Sequence, residues 1–90
     1  MKWKISYSRD SRKFIENHRI NDDIRGLMKK FVQKMMGENI NINLKKLVGD
    51  WKGYYRIRFG NIRIIFTILK ENREIYVDKV DFRNDVYKSK

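Results

Sequence analysis

The chain has no cysteine and no proline, a single histidine, five glycines and no long apolar run. Without cysteine there is neither a disulfide framework nor a thiolate metal site, a composition that suits a reducing cytoplasm. His18 has no second histidine to join at a metal ion, and no Ser/His/Asp set can be assembled without it. Near a helix end, it reads as a surface or capping residue. The glycines form no phosphate-cradling loop, and the acidic residues show no spacing typical of a two-metal nuclease. The longest apolar stretch, Ile62 to Leu69, is interrupted by Arg63 and Thr67, which argues against a membrane span. The opening residues, Met1-Lys2-Trp3-Lys4-Ile5, lack the apolar run of a signal peptide. Repeats and linkers are absent too, and no cofactor or metal is expected.

What is present is positive charge. Ninety residues carry a formal charge of +11 and a pI of about 10.1. Residues 1–90 make one domain, long enough to bury a modest core without staples. Basic residues are interleaved with aromatics and aliphatics rather than gathered in a tail, so the charge belongs to a folded surface. Such a surface favours polyanions: nucleic acid, an acidic protein or an anionic membrane.

The periodicities give an order β-α-α-β-β-β. Trp3 to Tyr7 alternates as a strand, and Asp10 or Ser11 caps a short helix reaching His18, with Phe14 and Ile15 inward. Asn21 or Asp22 caps a second helix, in which Ile24, Leu27, Met28, Phe31, Val32, Met35 and Met36 recur at helical spacing. Its methionines read as core filler and Gly37 as its terminator. Glu38 to Asn43 reads as a loop or short extended piece, anchored by Leu44 and Leu47 before a turn at Gly49 to Gly53. Three strands follow, the last from about Glu74 to Asp81 or Phe82, and Arg83 to Tyr87 adds one helical turn. Two helices before hairpin-linked strands predict an α+β domain, with both helices packed on one face of an antiparallel sheet.

The most specific stretch is Tyr54 to Phe66. Gly60-Asn61 is a two-residue loop of the kind that closes a hairpin in a primed turn. If Phe59 and Ile62 flank it, Arg58 pairs with Arg63, Ile57 with Ile64, Arg56 with Ile65 and Tyr55 with Phe66. Tyr55, Ile57, Phe59, Ile62, Ile64 and Phe66 then share a core face, and Tyr54, Arg56, Arg58 and Arg63 share the other. Arg58 and Arg63 are opposed like charges, which destabilise a sheet. Either the pair holds an anion, or both side chains splay into solvent. From Lys45 to Arg63 the segment carries +5, with Lys45, Lys46 and Lys52 joining the arginines and Asp50 the one acid. Arginine grips phosphate oxygens bidentately. Tyr54 and Tyr87 are suited to stacking on unpaired bases or supplying a hydroxyl, with a half-buried strand position the alternative for Tyr54.

Leu47-x-Gly49, the run from Gly53 through the hairpin to Phe66, and Val80-Asp81-Phe82-Arg83-Asn84-Asp85-Val86-Tyr87 together resemble the RelE/ParE toxin superfamily. The resemblance spans essentially the whole chain. It implies one of two activities. RelE-type members bind the ribosomal A site and cut mRNA by attack of a 2′-hydroxyl on the adjacent phosphate, whereas ParE-type members poison DNA gyrase without cutting. The positions matching the RelE functional set are Arg56, Arg58, Arg63, Arg83 and Tyr87, and retention of Arg83 and Tyr87 favours RelE. The implied roles are phosphate binding for Arg63 and Arg58, charge stabilisation on the leaving side for Arg83, and orientation or deprotonation of the 2′-hydroxyl for Tyr87. Arg56, Lys45, Lys46, Lys52 and Tyr54 would contact RNA or ribosome. One departure stands out: RelE carries lysines where this chain has Arg56 and Arg58, and an arginine stays protonated and so is a poor general base. The resemblance also implies an acidic antitoxin partner, which a +11 surface suits.

Overall fold

A computed structural model describes residues 2–82. The elements run β1 (Lys4–Tyr7), α1 (Arg9–His18), α2 (Asn21–Met35), β2 (Asn43–Lys46), β3 (Tyr54–Phe59), β4 (Ile62–Leu69) and β5 (Glu74–Phe82), with single 3₁₀ turns at Gly49–Trp51 and Lys70–Asn72. The α+β class holds, with two refinements. The extended piece near Asn43 is a full strand, so the sheet has five strands in the order β1-β5-β4-β3-β2. It is also mixed, because β1 runs parallel to β5 while the other pairs are antiparallel. Alternation fixes which face a strand buries but not the direction of a partner about seventy residues away. The predicted terminal turn, Arg83 to Tyr87, lies outside the described residues.

Helix α1 begins two or three residues earlier than the sequence suggested. Its cap is Ser8, not Asp10 or Ser11: the Ser8 Oγ accepts the Ser11 backbone N–H at 3.1 Å. Ser11 faces inward and is fully buried, its one hydroxyl hydrogen within reach of the carbonyls of both Ser8 and Val77, at 3.0 and 3.1 Å. Helix α2 starts at Asn21 with Ile20 at the cap position and no side-chain cap. Asp22 and Asp23 lie instead in its first turn, where they complement the helix dipole. Gly37 does terminate α2: at φ 102° it donates to the Lys34 carbonyl while Glu38 donates to Gln33, the two bonds of a Schellman motif. Met36, expected inward, is 59% exposed because the helix ends at Met35 and Met36 occupies the cap. Met28 is core, as expected.

Both helices contribute to one core with the inner face of the sheet. Ile15, Ile24, Leu27, Met28 and Phe31 meet Ile57, Ile62, Ile64, Phe66, Ile75, Val77 and Val80. Phe31 packs edge-on to Phe66 with centroids 4.7 Å apart. His18 is exposed at the end of α1, its ring tilted 32° against Phe14 at 4.1 Å and edge-on to Phe82 at 4.6 Å.

Tyr7 closes the core at the end of β1, with the Arg12 guanidinium 5.3 Å from its ring centroid. Burial raises the pKa of its hydroxyl, opposed to a lesser extent by Arg12 and Arg25. The unfolded chain therefore ionises Tyr7 first, near the ordinary phenol value of about 10. This contribution to stability is complete below that pH and is lost as pH rises through the raised folded value. Urea titrations of wild type and Tyr7→Phe between pH 8 and 11 are expected to show the wild type losing stability relative to the variant above about pH 10. A constant difference across that range would contradict the assignment.

Candidate functional site

The β3–β4 hairpin has the register read from the sequence: Phe59 with Ile62, Arg58 with Arg63, Ile57 with Ile64, Arg56 with Ile65, Tyr55 with Phe66. Gly60 takes φ 61° and Asn61 does not have positive φ, so the turn follows the II′ pattern, with glycine at its first central position. Phe59 faces the helices as expected but is 48% exposed, because the hairpin tip extends to the rim of α2 beside Asp22, Gly26 and Lys30.

The other face of the sheet is basic. Directly paired residues share a face, so Arg56, Arg58, Arg63 and Tyr54 are joined by Lys45, opposite Arg56, and by Asn43, opposite Arg58. The Asn43 Oδ1 accepts a hydrogen bond from Arg56 Nη2 at 3.0 Å. Lys46 pairs with Tyr55 and so belongs to the helix side, apart from this cluster. Lys52 is exposed in the turn that follows Trp51. Trp51 stands edge-on to Tyr54 at 5.1 Å, and with Lys79 it also walls an open cavity of about 460 Å³ that reaches Ser8, Asp10 and Asp78. Ile65 is buried on this basic face, between Arg56 and Lys79 in register, where the aliphatic stems of those side chains offer it cover.

Two carboxylate oxygens on β5 change how the arginines are read. Asp81 lies opposite Arg63 and takes both bonds of a fork: Arg63 Nε donates to Oδ1 at 3.1 Å and Nη2 to Oδ2 at 2.8 Å. The Arg58–Arg63 opposition is thus relieved from the far side, and the anion held by Arg63 is an internal carboxylate. Among the described residues, Arg58 has no such relief. Its Nε is buried and has no hydrogen-bond partner among the described residues.

A β-bulge makes this arrangement. Between Leu69↔Glu74 and Phe66↔Val77 the strands pair without interruption, and unbroken counting would then set Arg63 against Val80. The shift between Ile65 and Phe66 passes over Asp78 and sets Arg63 against Asp81 instead. The bulge is anchored by α1, since Ser8 Oγ donates to the Asp78 carbonyl at 2.7 Å and Ser8 N–H to Val77 at 2.9 Å. Bulges commonly re-aim side chains beside functional sites. Asp81, Lys79 and Asn43 were all missed from sequence, whereas the pairing of Ile65 with Arg56 was read correctly. Asn43 and Lys79 needed strand pairings that no local signal gives, and Asp81 needed the bulge. Arg83 and Tyr87 lie outside the described residues.

No protein-family model and no curated protein sequence matches the chain. Solved structures do match its fold. The RelB–RelE antitoxin–toxin complex of Methanococcus jannaschii aligns at 24% identity over 93% of this chain and 96% of that one, with a TM-score of 0.66. The YoeB dimer of Staphylococcus aureus aligns at 22% identity, covering 91% and 98%, with a TM-score of 0.70. YafQ in the DinJ–YafQ complex of E. coli aligns at 13% identity, covering 96% and 99%, with a TM-score of 0.69. The chain has the RelE-like toxin fold, two helices on a five-stranded mixed sheet. Among the described residues, no helix is long and apolar enough to cross a membrane.

Proposed function

We propose that this chain is the toxin of a type II toxin–antitoxin pair and cuts mRNA in the ribosomal A site. The observation that carries this reading is Arg58. Among the described residues it has no carboxylate partner, and it stands opposite a pinned Arg63 on the open basic face of a RelE-like fold. A phosphodiester supplies an anion for Arg58, since Asp81 is already taken by Arg63. In the reaction the O2′–P bond forms and the P–O5′ bond breaks. The 2′-hydroxyl gives up a proton and the departing 5′-oxygen gains one, leaving a 2′,3′-cyclic phosphate and a 5′-hydroxyl. Arg58 stabilises the charge that grows on the phosphate oxygens, and Arg63 adds the N–H groups that Asp81 does not use. Lys45 and Arg56 track flanking phosphates, while Tyr54 and Trp51 offer aromatic surface to unpaired bases. From the resemblance in sequence, Arg83 serves the leaving side and Tyr87 orients the 2′-hydroxyl. Arginine does not give up its proton, so the ribosome must contribute by holding the substrate in line. The cognate antitoxin is an acidic segment that covers this basic face.

The test is primer extension on mRNA from cells briefly expressing the chain, with and without a translation block. New 5′ ends inside translated codons, absent when translation is blocked, are expected. Growth arrest with intact mRNA would refute cleavage and turn attention to DNA gyrase.

A further inference from the structure

We infer that Asp81 is a positioning residue of the cleavage site proposed above, and the inference rests on that proposal. The Asp81 carboxylate holds one edge of the Arg63 guanidinium through Nε and Nη2. A guanidinium has five N–H groups, so three remain on Arg63, two on Nη1 and one on Nη2. These make a second edge of the same fork geometry, suited to two phosphate oxygens. Arg58 is the direct cross-strand neighbour, close enough to share one phosphate.

The carboxylate has two possible relations to an incoming phosphate. It competes for Arg63, or it stays and fixes the guanidinium plane. Burial favours the second. The Arg63 and Asp81 side chains are only 21% and 16% exposed, so displacement would strand a largely buried carboxylate beside a phosphate. A long side chain held in advance also loses less freedom when substrate arrives. The bulge at Asp78, tied to the cap of α1, sets Asp81 opposite Arg63. The pin is therefore built by the fold and independent of substrate. It also lowers the charge of the Arg58–Arg63–Asp81 cluster to +1, so affinity is given up for a fixed geometry.

The experiment uses the full chain and programmed ribosomes in two parallel assays. Single-turnover cleavage is followed at saturating toxin, and binding is measured to ribosomes whose A-site codon carries 2′-deoxyribose and so resists cleavage. Asp81→Ala is expected to slow saturated cleavage by about 10- to 100-fold, the scale of a misplaced catalytic group. Binding should stay equal or tighten, because a negative charge is gone. Asp81→Asn should recover part of the rate, since its amide oxygen still accepts one bond from Arg63. In ¹H–¹⁵N spectra of the free chain, a slowly exchanging Arg63 Nε–H should be present in wild type and lost in Asp81→Ala, with the backbone spectrum retained. A faster or unchanged Asp81→Ala rate with a cleaving wild type would overturn the role of Asp81 alone. A wild type that leaves mRNA intact would overturn the proposed function itself.

Discussion

Arg58→Ala is expected to slow ribosome-dependent mRNA cleavage by about 10²- to 10³-fold, the effect of removing one preorganised donor from a developing oxyanion. Arg63 spends half its fork on Asp81 at 2.8 and 3.1 Å, whereas Arg58 keeps a buried Nε with no partner among the described residues. A guanidinium directly opposite a like charge costs stability, and a bound anion offsets that cost. The substitution should therefore leave the urea midpoint unchanged or raise it, since the Arg58–Arg63 repulsion disappears. Loss of activity with equal or greater stability is the diagnostic result, because a damaged fold would move both downward. Arg58→Lys keeps the charge and loses the fork, so it should fall between alanine and wild type. Cleavage by Arg58→Ala within threefold of wild type would remove Arg58 from the site.

How far the sequence discloses this site depends on how far each contact reaches along the chain. The Arg58–Arg63 pairing is set by a two-residue loop, so both the register and the basic face follow from alternation around Gly60. The α2 core face is equally local, and Ile24, Leu27, Met28 and Phe31 are buried where helical spacing puts them. Asp81 is different. It reaches Arg63 only because β5 carries a bulge that Ser8, seventy residues earlier, stabilises through the Asp78 carbonyl. No local signal near Asp78 announces the bulge. The strand direction of β1 and the inclusion of β2 are hidden for the same reason, since both depend on partners chosen by the finished sheet. The opposed arginines were legible as a charge without a counterpart, but whether that counterpart was solvent, ligand or protein was a question of tertiary register.

Phe66→Ala is expected to destabilise the chain by about 3–5 kcal/mol, the range for deleting a buried aromatic. Phe66 is fully buried at the centre of β4. Its ring meets Phe31 of α2 edge-on at 4.7 Å and stacks on Tyr55 of β3 at 5.7 Å, so one side chain joins the helix layer to the hairpin. Alanine would leave a void that Phe31 cannot fill without moving α2, and interiors relax only partly around such voids. A domain of this size has roughly 5–13 kcal/mol in total, so the loss is a large fraction of it. At about 4–8 °C per kcal/mol, the midpoint of thermal unfolding should fall by more than about 10 °C. Phe66→Leu keeps most of the volume and should cost much less. The position also borders the bulge that sets Asp81 against Arg63, so Phe66→Ala should weaken cleavage through the loosened sheet. Cooling or a stabilising osmolyte should then restore part of its activity, and neither should rescue Arg58→Ala. A Phe66→Ala chain with a wild-type midpoint would mean that this ring does not join the two layers.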